Sequence, residues 1–217
     1  MSVFSPPTTP LVLLHGAGGD ASVWDAQTEW LARRGWTTLA LEFPAHGATA
    51  APPLPSIEAL SDWVWRQLDA RQTGPVVLAG HSMGSLVALH AAGQRPAQVR
   101  GLALLGTAFP MRVSKRLLAQ AEAEPEEAID SVVRWSYAQA EPFAPIPGFQ
   151  SPESYRACLL RQQANWAEGS VLASDLRACD RYDGGESAAR QWGGPTLFLL
   201  GEHDRMTPPA GAASLRE

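Results

Sequence analysis

The chain has 217 residues, 45% of them hydrophobic and 18% charged, which is enough apolar material for one sizeable core and excludes disorder of the whole. A formal net charge of -5 with a pI near 5.5 leaves no basic footprint for nucleic acid or an anionic membrane, so the expected partner is a small-molecule substrate. No run approaches the roughly 18 apolar residues of a membrane span, and residues 1–10 lack the basic cluster and apolar stretch of a leader peptide.

Three short apolar runs occupy the first half, at residues 11–14, 37–41 (with Phe43 just beyond) and 76–79, each closed by Gly or Pro. Their length and apolarity predict parallel strands buried on both faces, separated by stretches long enough for crossover helices. Between the first two runs Trp24, Gln27, Trp30, Leu31 and Arg34 fall at helical spacing, with Gly35 as the stop. After the linker at 51–55, residues 56–71 place Ile57, Leu60, Trp63, Val64 and Leu68 on one stripe behind Ser56, a suitable N-cap. A third helix is predicted after Ser82, where Leu86 to Ala91 lead to a stop at Gly93 and Pro96.

The strand signal returns at 101–105 and 196–200, and the intervening 109–192 reads as a helical insertion rich in Ala, Glu, Arg and Gln. Its predicted break lies near 141–152, at Pro142, Pro145, Pro147 and Gly148. The expected organisation is therefore a first core part at 1–108, a lid at 109–192 and a second core part at 193–217. Cys158 and Cys179 form no CxxC or metal-ligand spacing and read as free thiols of a cytoplasmic protein.

Gly80-His81-Ser82-Met83-Gly84 directly follows the strand at 76–79 and opens a helix. A serine in such a turn is held exposed at a helix N-terminus, where negative charge is favoured, and the flanking glycines allow strand and helix to close together. His15-Gly16-Ala17-Gly18-Gly19 follows the first strand, and its backbone amides can meet an anion. A dinucleotide site is the competing reading of that loop: Gly16, Gly18 and Ala21 fit a loose Gly-x-Gly-x-x-Gly/Ala pattern, with Glu42 ending the next strand. The serine turn has no role in a dinucleotide unit and turns the reading toward nucleophilic catalysis.

Taken together and in this order, these motifs resemble the α/β-hydrolase superfamily, in particular its small lidded members, over nearly the whole chain. His15-Gly16 resembles the family's oxyanion loop, Trp24 the tryptophan that follows it, and Phe43-Pro44-Ala45-His46-Gly47 its Asp-x-Pro-Gly-His-Gly loop, with Glu42 for Asp and Ala45 for Gly. The resemblance implies a mostly parallel sheet flanked by helices, with Ser82 as nucleophile and the backbone amides of Ala17 and Met83 as the oxyanion hole. Gly201-Glu202-His203-Asp204 resembles the acid loop, which makes Asp204 the triad acid and Glu202 the alternative. No cofactor and no metal are implied.

Triad order in that family places a histidine after the acid, and residues 205–217 contain none. The expectation is a truncated sequence lacking the last strand and the histidine loop, with the strand at 196–200 left as an edge. Of the five histidines, His81 is expected to point away from Ser82, His203 to lie awkwardly close to Asp204, His15 to order its own loop and His90 to pack inside a helix. His46 stands at the correct end of the sheet. The expected function is hydrolysis of a small carboxylic ester or related acyl compound, impaired without its base; the alternative is a noncatalytic ligand-binding or scaffold protein.

Overall fold

The apolar runs become strands because a parallel sheet covered on both faces needs continuous Leu- and Val-rich segments. In the computed structural model, which describes residues 8–49, 51–137, 150–166 and 168–216, they form β1 (Leu11–Leu14), β2 (Thr38–Leu41), β3 (Val76–His81), β4 (Val99–Leu105) and β5 (Thr196–Leu199). The sheet order is β2-β1-β3-β4-β5 and every pairing is parallel. Leu14 lies opposite both Leu41 and Gly80, and Leu105 opposite both His81 and Leu199. The loops after all five strands therefore leave the sheet at one end. The chain runs from β1 outward to β2, then crosses back to β3, so the β1/β3 crevice is the switch point where ligands bind in open sheets of this kind.

Helix α2 (Ile57–Ala70) is capped by Ser56, whose side chain accepts from the Ala59 amide, and buries Ile57, Leu60, Val64 and Leu68 as its spacing predicts. It is fastened to α3 (Met83–Gln94) by two buried donors: Ser61 Oγ donates to the Val87 carbonyl at 3.0 Å and Trp65 Nε1 to the Ala91 carbonyl at 3.1 Å. Gly93 admits α8 (Gly185–Trp192), since a Cβ there would stand 2.8 Å from the Ala188 Cα.

Helix α1 (Asp25–Ala32) forms within the stretch whose spacing predicts a helix, but none of its residues is buried, and Trp30 is 55% exposed beneath the Arg34 guanidinium. Trp24 is buried, but from a preceding 3₁₀ turn at Ala21–Trp24, which breaks the phase of the helical pattern before α1 begins. Strand β5 lies at the sheet edge, with Leu197 and Leu199 about 60% exposed.

Between β4 and β5 run α4 (Lys115–Ala123), α5 (Pro125–Ser136), α6 (Pro152–Asn165) and α7 (Val171–Arg181), followed by α8. Ser114, Ser151 and Ser170 cap α4, α6 and α7 by accepting an amide three residues on. These four helices share a second apolar cluster around Leu117, Ile129, Val132, Leu159, Leu172 and Leu176, whereas α8 packs with α3 beside the sheet. The predicted break at Pro142 to Gly148 lies outside the described residues. Both cysteines are free and buried, and among the described residues no helix is long and apolar enough to cross a membrane.

Candidate active site

Ser82 sits between the end of β3 and the first turn of α3 with φ 52° and ψ -119°, a conformation that costs a non-glycine residue on the order of 1–3 kcal/mol. Its surroundings enforce it. The Ser82 amide donates to the Leu105 carbonyl at 2.9 Å, and the Ser82 carbonyl accepts from both the amide and the hydroxyl of Ser85. The flanking glycines are required by close approach: a Cβ on Gly80 would overlap the Gly84 carbonyl, and one on Gly84 would overlap the carbonyls of Leu14 and His15.

That closeness brings the β1 loop beside the serine. A Cβ on Gly16 would lie 3.4 Å from the Ser82 Cβ and 3.1 Å from His81 Nδ1. The Gly19 amide turns back to the Gly16 carbonyl and the Gly18 amide donates to Asp175 Oδ2, while the amides of Ala17 and Met83 have no hydrogen-bond acceptor among the described residues. Two unsatisfied amides beside a serine hydroxyl, one of them opening a helix, are suited to stabilise an oxyanion.

His15 orders this loop as expected. Its ring is fully buried, with Nδ1 2.9 Å from the Gly16 carbonyl and Nε2 accepting from the Phe43 amide at 3.2 Å, which fixes the neutral Nδ1-protonated tautomer. Burial, with the adjacent charge of His46, lowers its pKa to about 3. His46 behaves oppositely. Burial alone would lower its pKa, but the charge and hydrogen bond of Asp175 outweigh it and the pKa is raised. Ala45, which stands where the resembled loop has Gly, adopts the left-handed conformation at φ 68° despite its side chain.

Asp204 and Ser82 line the same cavity of about 390 Å³, along with Gly16, Ala17, Trp24, Tyr155 and Leu176. The Asp204 carboxylate organises its own loop, accepting from the amides of Met206 and Thr207 and from the Thr207 hydroxyl, each at 2.8 Å. His81 does not point away from the site as expected; its exposed ring also lines the cavity, because the Gly16 and Gly106 backbones leave room beside it. His90 is held by the Tyr182 hydroxyl, His203 is exposed, and Glu202 is exposed and absent from the cavity wall. Among the described residues no histidine hydrogen-bonds to Ser82 or Asp204. Nor do any three His, Cys, Asp or Glu side chains there stand close enough to hold a metal ion.

Two polar residues at this end of the sheet carry only a faint sequence signal. Asp175 and Gln162, both about 1% exposed, reach from α7 and α6 to the loops after β1 and β2. A polar residue facing inward on an apolar helix stripe was the one available sign.

A family model described as "Alpha/beta hydrolase family" matches residues 11–217. The chain is 33% identical over 138 residues to the (E)-2-((N-methylformamido)methylene)succinate hydrolase of Acinetobacter baylyi, a match covering 61% of this chain and 52% of that protein. It is 30% identical over 208 residues to a pimeloyl-[acyl-carrier protein] methyl ester esterase of Neisseria meningitidis serogroup C, covering 91% of this chain and 76% of that protein. The enol-lactonase of Burkholderia xenovorans LB400 shares the fold with a TM-score of 0.74 at 23% identity, over 99% of this chain and 80% of that one. The chain thus spans about half the length of the first of these relatives.

Proposed function

Because the chain belongs to the alpha/beta hydrolase family, we propose that it carries the acyl-transfer site of a hydrolase of small carboxylic esters or related acyl compounds. The observation that carries this reading is the strained Ser82 at the head of α3, facing a cavity beside the unpartnered amides of Ala17 and Met83. Ser82 Oγ attacks the acyl carbon, its proton passes to a base, and the carbonyl oxygen takes up negative charge between the two amides. Loss of one such donor typically costs about 3 kcal/mol of transition-state stabilisation. Collapse expels the alcohol, and water then releases the acyl group. Asp204 is proposed as the acid that orients the base's imidazole. Among the described residues lining the cavity none is Lys or Arg, which favours an uncharged acyl group.

Within the segment 109–192, helices α4 to α7 are proposed as the lid over this cavity, since α5, α7 and Tyr155 contribute to its wall, while α8 packs with α3 beside the sheet. A cytoplasmic setting fits the two free cysteines. Burial pushes Cys158 up to about 11 and raises Cys179 as well, so both thiols stay protonated and inert.

Since no imidazole among the described residues hydrogen-bonds to Ser82 or Asp204, this reading expects turnover by residues 1–217 on the order of a million-fold below that of a complete triad. The same observation favours a second reading, a noncatalytic ligand-binding protein. Labelling by an alkyl fluorophosphonate separates the two. The hydrolase reading expects slow labelling that reaches one adduct per chain on prolonged incubation with excess reagent, because the oxyanion hole still favours attack without the base, and Ser82→Ala abolishes it; wild type as inert as Ser82→Ala under those conditions would leave the binding reading.

A further inference from the structure

Two loops near Ser82 are gripped from the α4–α7 side by buried polar side chains. Asp175 on α7 accepts from the Gly18 amide at 2.7 Å and from His46 Nε2 at 2.9 Å through the same oxygen. Gln162 on α6 accepts from the Gly47 amide at 2.6 Å and donates to Asp20 at 2.6 Å. We propose that Asp175 is a positioning residue of the Ser82 site: it ties the loop that carries the Ala17 amide, and the His46 loop beside it, to helix α7. The proposal rests on the reading of Ser82 as nucleophile.

The geometry of the glycine loop carries the argument. Gly18 adopts φ +66°, and its amide is directed at α7, where Asp175 accepts from it. The Gly19 amide is taken by Gly16. Of three successive amides only Ala17's is left without an acceptor among the described residues. Without the carboxylate, the Gly18 amide loses this acceptor and the loop that presents the Ala17 amide loses its tie to α7.

The second half of the grip is ionic. His46 Nδ1 faces the Pro44 carbonyl at 2.9 Å and Nε2 faces Asp175, so both nitrogens donate and the ring is an imidazolium. The two side chains are 1% and 2% exposed, and a buried pair of this kind depends on both partners. The other ionisable groups facing the pair are Glu42 and Asp20 on the loops, His15 at the end of β1 and Cys179 on α7. Of these ionisable groups, Asp175 alone hydrogen-bonds the His46 ring.

The test compares wild type with Asp175→Asn, Asp175→Ala and the double variant Asp175→Asn/His46→Gln, which removes both charges together and guards against misfolding from a lone buried cation. Nitrogen-15 histidine spectra should show both His46 ring nitrogens protonated at pH 7, with a titration midpoint at least one pH unit lower in Asp175→Asn. Labelling of Ser82 by an ethyl fluorophosphonate should slow at least ten-fold in Asp175→Ala and less in Asp175→Asn, whose amide oxygen can still accept from Gly18. The wild-type rate should fall as His46 loses its proton, and that alkaline fall should vanish in the double variant. A folded Asp175→Ala that labels at the wild-type rate overturns the proposal, as does a His46 that titrates near 6.5 like free imidazole. If wild type takes no label, the nucleophile reading fails alone. Exchange of the Gly18 amide then decides the tether: at least ten-fold faster in Asp175→Ala supports it, and unchanged exchange overturns it.

Discussion

The imidazoles of His15 and His46 lie 4.7 Å apart in the same buried cluster, and their hydrogen bonds hold one neutral and the other charged. His15 must accept from the Phe43 amide, which only an unprotonated Nε2 can do. His46 faces a carbonyl on one side and a carboxylate on the other, which calls for a proton on each nitrogen.

Stability should therefore fall toward both pH extremes. The folded pKa of His15 is lowered to about 3, so between 6.5 and 3 the unfolded chain binds a proton that the folded chain refuses. Stability rises with pH across that window, and acidification from pH 6.5 to 4 should cost at most about 3 kcal/mol from this group. The folded pKa of His46 is raised, so its contribution is fully present below about 6.5 and is lost as pH rises through the folded value. Urea unfolding at a series of pH values should show a maximum between the two limbs, and His15→Gln should flatten the acid limb.

Gly84→Ala should unfold or severely destabilise the chain, by about 3 kcal/mol or more, because the new Cβ overlaps backbone carbonyls of Leu14 and His15 that no side-chain rotation can move. Gly101→Ala on β4 is the control. The nearest atom to its Cβ is a Val77 methyl at 3.8 Å, and this variant should melt within a few degrees of wild type.

Gln72→Gly should stabilise the fold by about 1 kcal/mol. Gln72 closes α2 in the left-handed region at φ 52°, its amide donating to Asp69 and the Thr73 amide to Leu68, the paired bonds of a Schellman stop. Its side chain is exposed, so glycine relieves the strain without losing buried area. A melting temperature raised by roughly 2–4 °C is expected; a lowered one would show that the side chain makes up for its backbone.

Gln162→Leu should cost about 1–3 kcal/mol, because it fills the same buried volume while leaving the Gly47 amide without its Gln162 acceptor and Asp20 short of one donor. Denaturation in urea with an unchanged slope is the expected signature.

The parallel core was legible because buried strands need apolar runs and tight loops need glycine, and both are local signals. The serine turn was legible for the same reason, since strand, glycine, serine, glycine and helix follow one another within a dozen residues. Helix α1 was legible as a helix but not in its start, because Trp24 belongs to the 3₁₀ turn at Ala21–Trp24, and a periodicity count assumes one phase throughout. Asp175 escaped notice because its partners, Gly18 and His46, are 157 and 129 residues away, and pairing at that distance leaves no spacing to read. The strained angle at Ala45 was not legible, because alanine carries no local signal for a left-handed turn that bonds of its neighbours Phe43, Pro44 and His46 hold in place.

The central claim, that Ser82 is a nucleophile whose oxyanion is met by the Ala17 and Met83 amides, is tested most directly by amide NMR of the phosphonylated protein with the adduct mapped by mass spectrometry. The account predicts an adduct on Ser82 and downfield shifts at the Ala17 and Met83 amide protons larger than at any other amide. An adduct on another residue, or one on Ser82 that leaves both amides unmoved, would contradict it.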